Sequence, residues 1–136
     1  MTTIVNIQNL TKRYGRKLAL DNVSFSIPSG CVFALLGENG AGKSTTIKTL
    51  MGLVRPDSGT AEVFGKNCTR DFESLRPRIG YIPEFPTLYD WMTIDEIGWF
   101  TAGFYRPGFA EHFGTKIREF ELDPKQKIRN LSKGGR

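Results

Sequence analysis

One stretch of this chain has residue types whose spacing could do chemistry. Gly37-Glu38-Asn39-Gly40-Ala41-Gly42-Lys43-Ser44 fits the pattern G-x-x-x-x-G-K-[ST] at every fixed position. Glycines let a backbone curl until several N–H groups point at one anion. A helix starting at the end of such a loop adds the positive end of its dipole. Lys43 places a compact, mobile positive charge where β- and γ-phosphates would lie, and the Ser44 hydroxyl is a hard oxygen suited to Mg²⁺. The chemistry indicated is capture of a nucleotide phosphate. The loop alone does not say which machine uses it, because kinases and GTPases carry the same device.

The elements on either side must position that loop. Cys31-Val32-Phe33-Ala34-Leu35-Leu36 is apolar throughout and predicts a strand buried on both faces of a parallel sheet. After the loop, Ile47, Leu50, Met51 and Val54 recur at helical spacing until Arg55-Pro56-Asp57-Ser58-Gly59 stops the helix. A strand before and a helix after argue against a chance glycine turn. Upstream, Val5-Asn6-Ile7-Gln8 and Val23-Ser24-Phe25-Ser26-Ile27 alternate as half-buried strands do, with Thr11 to Gly15 read as a polar break between them. Downstream, residues 60–64 and 79–82 read as short strands. Thr93 and Glu96 have the spacing of a capping box. Ile97, Phe100 and Phe104 form one helical stripe, and Phe109, Phe113, Ile117 and Phe120 a second beyond the break at Arg106-Pro107-Gly108. These aromatics are read as ordinary core. There is no internal repeat and no low-complexity segment.

The bulk properties bound the answer without choosing it. The chain has 136 residues, of ordinary globular composition, with no apolar run of membrane-spanning length and no signal-peptide pattern at its start. A net charge of +5 suits a phosphate ligand, an anionic membrane face or nucleic acid alike. Cys31 and Cys68 lack metal-like spacing and are read as reduced, mostly buried thiols. His112, the only histidine, falls within the second aromatic stripe and is read as an ordinary helix residue.

Around the loop, the chain resembles the nucleotide-binding domain of an ABC transporter from Ile4 to its last residue. Tyr14 stands where that family has the aromatic residue of its A-loop. Gly52-Leu53, Pro56-Asp57-Ser58-Gly59 and Gly65 resemble its turn–strand–turn segment, which kinases and GTPases lack. Ile79-Gly80-Tyr81-Ile82-Pro83-Glu84 looks like its Q-loop, with Glu84 in place of the usual glutamine. Leu131-Ser132-Lys133-Gly134-Gly135 looks like its signature, L-S-G-G-Q, with Lys133 and Gly135 departing from the pattern. The resemblance implies an α/β fold: a P-loop NTPase core of ABC type, with a parallel sheet and flanking helices, N-terminal antiparallel strands and a partial helical subdomain. It implies one incomplete domain, with residues 1–88 as β subdomain and core portion and 89–136 as part of the helical subdomain.

The same resemblance implies the cofactors ATP and Mg²⁺. ATP would be held by Tyr14, Gly37, Glu38, Asn39, Gly40, Ala41, Gly42, Lys43, Ser44, Thr45 and Glu84, with adenine stacked on Tyr14. Mg²⁺ would lie at Ser44 and Glu84. A carboxylate at 84 can ligate the metal but cannot donate a hydrogen bond as an amide does. Ser132 and Gly134 would face the nucleotide of a second ATP-binding domain, in a homo- or heterodimer. The implied function is the ATP-binding subunit of an exporter-like ABC transporter, cytoplasmic and peripheral on the inner membrane face, working with a transmembrane permease subunit. The family's Walker B aspartate, catalytic glutamate and switch histidine have no counterpart in these residues, so no catalytic residue is identifiable and isolated hydrolysis is not expected. Two rivals stand beside this reading: a truncated, binding-only fragment, and a soluble ABC ATPase acting on ribosomes or DNA. No basic cluster favours the latter, so no nucleic acid is expected as a partner. Because the pattern stops within the signature, the chain is expected to be a poorly stable piece of a longer protein, with the 31–36 strand edge open to aggregation.

Overall fold

The computed structural model describes residues 2–84, 87–105, 107–132 and 134. The chain forms two compact units, Met1–Tyr81 and Ile82–Arg136.

The first unit is built on an antiparallel sheet ordered β2-β1-β3-β4, with β1 Thr3–Tyr14, β2 Lys17–Pro28, β3 Ser58–Val63 and β4 Lys66–Asn67. Of the two alternating stretches, Ile7 is fully buried and Val5, Val23 and Phe25 are partly so; Ile7 makes the core with Leu10, Leu20, Ala61, Val63, Cys68 and Leu75. β1 does not stop at the polar residues 11–14. It runs through them, with Lys12, Arg13 and Tyr14 paired to Leu20, Leu18 and Lys17. Ladder bonds satisfy this backbone and Asp57 pairs with Lys12, partners distant in sequence, so the local run of polar residues gave no sign of a strand. The hairpin turns at Gly15, which takes φ +57.

A bulge at Asn9 (φ +49) bends β1. Ser24 secures it, its Oγ accepting from the Asn9 N–H at 2.8 Å and donating to Asn9 Oδ1 at 3.1 Å. β3 starts so close to this bulge that a methyl group on Gly59 would stand 2.3 Å from the Asn9 carbonyl oxygen. Only glycine permits that approach.

The helix α1, Lys43–Leu50, follows the glycine-rich loop as the spacing predicts, but it buries Thr46 and Thr49 while Ile47 is exposed. Both threonines tolerate burial because their hydroxyls donate back along the helix, to Gly42 O at 3.1 Å and Thr45 O at 2.9 Å. Its C-terminus closes with the Gly52 N–H on Thr49 O and the Leu53 N–H on Lys48 O, with Gly52 at φ +64. The short helix α2, Phe72–Leu75, buries Leu75 completely.

Two strand expectations fail. Residues 31–36 form no strand and join no sheet, with Val32 102% and Leu36 88% exposed. Residues 79–82 likewise form no strand. An apolar strand is held by ladder partners, and the described residues supply none to either stretch. The ladders among the described residues are therefore all antiparallel. Cys31, on the same stretch, is exposed, whereas Cys68 is buried and its thiol is pushed up to about 11 by that burial and by Glu62.

The second unit holds α3, Ile94–Ala102, and α4, Phe109–Glu119. The capping box forms as its spacing predicts: the Glu96 N–H donates to Thr93 Oγ1 at 3.2 Å and the Thr93 N–H to Glu96 Oε2 at 2.7 Å. Ile94, Ile117 and Ile128 are its buried centre, with Ile97, Phe113 and Leu131 packed around them. The two helices approach closely at Gly98, where a methyl group would lie 2.3 Å from the Phe113 ring. Phe104 (67% exposed), Phe120 (70%) and Phe100 (36%) stand outside this core, contrary to the reading of both stripes as buried. Each helix turns one face to the isoleucine centre, and the stripe is wider than that face. His112 lies exposed on α4. Among the described residues no helix is long and apolar enough to cross a membrane.

Candidate nucleotide-phosphate site

Residues 37–45 form an open loop running into the first turn of α1. Gly40 and Gly42 take φ +89 and +87, conformations that L side chains rarely adopt. Gly42 is the N-cap, with no side chain bonded to the helix start. The Thr46 N–H already bonds Gly42 O, so the N–H groups of Lys43, Ser44 and Thr45 have no helical carbonyl to meet. Three donors at the positive end of a helix form an anion cradle. Gly37, Glu38, Asn39, Gly40, Ala41 and Ser44 are exposed, and Lys43 and Thr45 are half-buried.

Lys43 folds its amine back over the loop, where Nζ donates to Gly37 O at 2.6 Å and Glu38 O at 2.7 Å. The Ala41 N–H closes the turn on Glu38 O at 3.1 Å. The strongest donor of the loop thus rests on carbonyls that a phosphate can replace. The Ser44 hydroxyl is exposed beside it, a hard oxygen that fits the ligand preference of Mg²⁺.

The β1–β2 hairpin braces the loop from behind. A methyl group on Gly42 would stand 2.5 Å from Ala19 O and 2.6 Å from Leu20 Cδ2. Tyr14, 48% exposed, ends β1 opposite Lys17, two residues before Ala19. Tyr14 thus stands on the same hairpin that meets the loop at Gly42. Lys12 lies 5.6 Å from the centre of the Tyr14 ring and pairs with Asp57 at 3.0 Å. Asp57 Oδ2 also accepts the Arg13 N–H at 2.6 Å, and the Asp57 N–H donates to Thr11 O at 2.9 Å. The Arg13 N–H, and then the Lys12 amine, hold the Asp57 carboxyl below the usual carboxylate range. Asp57 thus fixes the strand that presents Tyr14.

Tyr14 and the loop both belong to the first unit, Tyr14 on the hairpin whose Ala19 and Leu20 abut Gly42. Glu84, Ser132 and Gly134 belong to the second unit, all exposed. Ser132 follows a 3-10 turn, Ile128–Asn130, tied to residues before α3 by the Ile128 N–H on Met92 O at 2.9 Å and the Arg129 N–H on Asp90 O at 3.2 Å. Lys133 and Gly135, the two departures from the signature, lie outside the described residues. The bracing roles of Asp57, Ala19 and Leu20 escaped the sequence reading. The turn at 56–59 was legible as a turn, but nothing local showed that its aspartate reaches back to Arg13.

Comparison with known proteins bears on the site. The family described as ABC transporter matches residues 20–136. The bacitracin transport ATP-binding protein BcrA of Bacillus licheniformis is 41% identical over 71% of this chain and 31% of its own length. The ABC-type transporter ATP-binding protein EcsA of Bacillus subtilis (strain 168) is 35% identical over 92% of this chain and 52% of its own. A Nod factor export ATP-binding protein I of Ralstonia nicotianae is 40% identical over 70% and 30%. The chain thus spans about a third to a half of the length of these curated relatives. Among solved structures, an ATP-binding subunit of an ABC transporter matches with a TM-score of 0.78 at 34% identity, over 97% of this chain and 57% of that one. The ADP conformation of an ATP-binding cassette matches with a TM-score of 0.77 at 26% identity, over 99% and 61%.

Proposed function

This chain belongs to the ABC transporter family, and from that premise we propose that residues 37–45 hold the phosphates of ATP. Its fold is that of a P-loop NTPase of ABC type, of which it covers a part. The observation that carries the proposal is the loop itself: unbonded helix-start N–H groups beside a lysine amine parked on two carbonyls. Mg²⁺ would be held by the Ser44 hydroxyl together with phosphate oxygens, where it would neutralise phosphate charge. Adenine would stack on Tyr14, whose exposed ring stands on the hairpin that braces the loop. Glu84 would add a carboxylate to the metal, and Ser132 and Gly134 would face the nucleotide of a second ATP-binding domain.

Residues 1–88 are proposed as the nucleotide-holding portion and 89–136 as part of the helical subdomain. Since the curated relatives are about twice as long as this chain, hydrolysis, dimerisation and coupling to a membrane permease are proposed for the whole protein, at the inner membrane face. A relative named for Nod factor export favours outward transport. Calorimetric titration with ATP and Mg²⁺ tests the adenine assignment. Tyr14→Ala should weaken binding by about 1–3 kcal/mol, as other base–aromatic contacts do. Unchanged affinity contradicts the stacking role.

A further inference from the structure

Lys17 opens β2 directly across from Tyr14. A methyl group on Gly40, the fourth residue of the phosphate loop, would stand 3.9 Å from Lys17 Nζ. Among the described residues the Lys17 amine enters neither of the two ion pairs, whereas Lys12, on the neighbouring strand, is neutralised by Asp57 at 3.0 Å. An exposed ammonium that enters no ion pair among the described residues thus sits against a loop glycine at φ +89.

The two lysines reach the loop from different elements. Lys43 comes from α1 and rests on Gly37 and Glu38. Lys17 comes from the hairpin and approaches at Gly40. A nucleotide with its base on Tyr14 and its terminal phosphates at Lys43 must lay its ribose and first phosphate between them. Lys17 is paired with Tyr14 and abuts the loop, so it lies along that path. We infer that Lys17 is a second cation of the site, binding the phosphate nearest the ribose. The inference rests on the proposal that residues 37–45 hold ATP. A lysine suits this place because it offers a mobile point charge and needs no fixed bidentate geometry.

The two lysines should differ in what they distinguish. The phosphate next to the ribose is common to ATP and ADP, so the loss of Lys17 should weaken both nucleotides by the same factor. Lys43 serves the terminal phosphates, so its loss should weaken ATP more than ADP. A charged hydrogen bond at an exposed site amounts to about a five- to tenfold change in affinity.

Calorimetry of ATP and ADP binding on the wild type, Lys17→Ala, Lys17→Arg and Lys43→Ala tests this, with thermal melts confirming that each variant folds. Lys17→Ala should raise both dissociation constants by about five- to tenfold, while Lys17→Arg keeps both within about twofold of wild type. The inference is overturned if Lys17→Ala leaves both affinities unchanged while Lys43→Ala abolishes ATP binding, and the phosphate-loop reading then survives. It is overturned equally if Lys17→Ala affects ATP alone, or if Lys17→Arg is as weak as Lys17→Ala. Unchanged ATP binding in Lys43→Ala overturns the phosphate-loop reading and this inference with it.

Discussion

A side chain added at Gly42 meets two separate obstacles. The residue sits at φ +87, ψ −1, and a left-handed conformation costs an L-residue about 1–2 kcal/mol. The new methyl group would also lie 2.5 Å from Ala19 O and 2.6 Å from Leu20 Cδ2, and Ala19 O is backbone held in the β1–β2 hairpin. Loop and hairpin must then move apart, and overpacking of this kind costs about 1–3 kcal/mol. Gly42→Ala should therefore destabilise the first unit by about 2–5 kcal/mol. Gly40→Ala is the control. At φ +89 it carries the same backbone strain, but its methyl group would meet only Lys17 Nζ, at 3.9 Å, so it should cost only about 1–2 kcal/mol. Urea unfolding followed by far-ultraviolet circular dichroism gives both values. Hydrogen exchange should show residues 17–20 and 43–50 losing protection in Gly42→Ala while α3 and α4 keep theirs. If the two variants agree within about 0.5 kcal/mol, the loop is not braced on β2.

Two further outcomes follow from single contacts. Thr93→Ala removes the acceptor for the Glu96 N–H and should destabilise α3 by about 1 kcal/mol. The fluorescence of Trp91 and Trp99 reports that unit, and an unshifted urea midpoint would show that the capping box contributes nothing. Asp57 has a lowered native pKa, so over the acid range the unfolded chain binds the extra proton and stability rises with pH. Its contribution is present above the unfolded value, near 3.8, and is lost as pH falls through the lowered native one. Asp57→Asn should thus flatten the acid limb of the stability curve, whereas an unaltered limb would show that the Arg13 and Lys12 contacts do not persist in solution.

What the sequence made legible was local. The phosphate loop, the capping box at Thr93 and Glu96, and the alternation in β1 and β2 each depend on neighbours a few residues away. The continuation of β1 through residues 11–14 was hidden because Lys12, Arg13 and Tyr14 give no apolar alternation and are held by β2 and Asp57, distant in sequence. The buried face of α1 was hidden because Thr46 and Thr49 satisfy their own hydroxyls, leaving Ile47 outside. The apolar run 31–36 misled in the opposite direction. Composition can propose a buried strand, but only ladder partners can make one, and the described residues offer none. Glu84, Ser132 and Gly134 were found by motif, and all three belong to the second unit.

The central claim is that residues 37–45 hold the phosphates of ATP with Lys43 as their principal cation. Calorimetric titration of ATP with Mg²⁺ into the wild type and Lys43→Ala tests it most directly. The wild type should bind, and the variant, if melts show it folded, should lose at least about tenfold in affinity. Equal affinities in the two proteins would contradict the account.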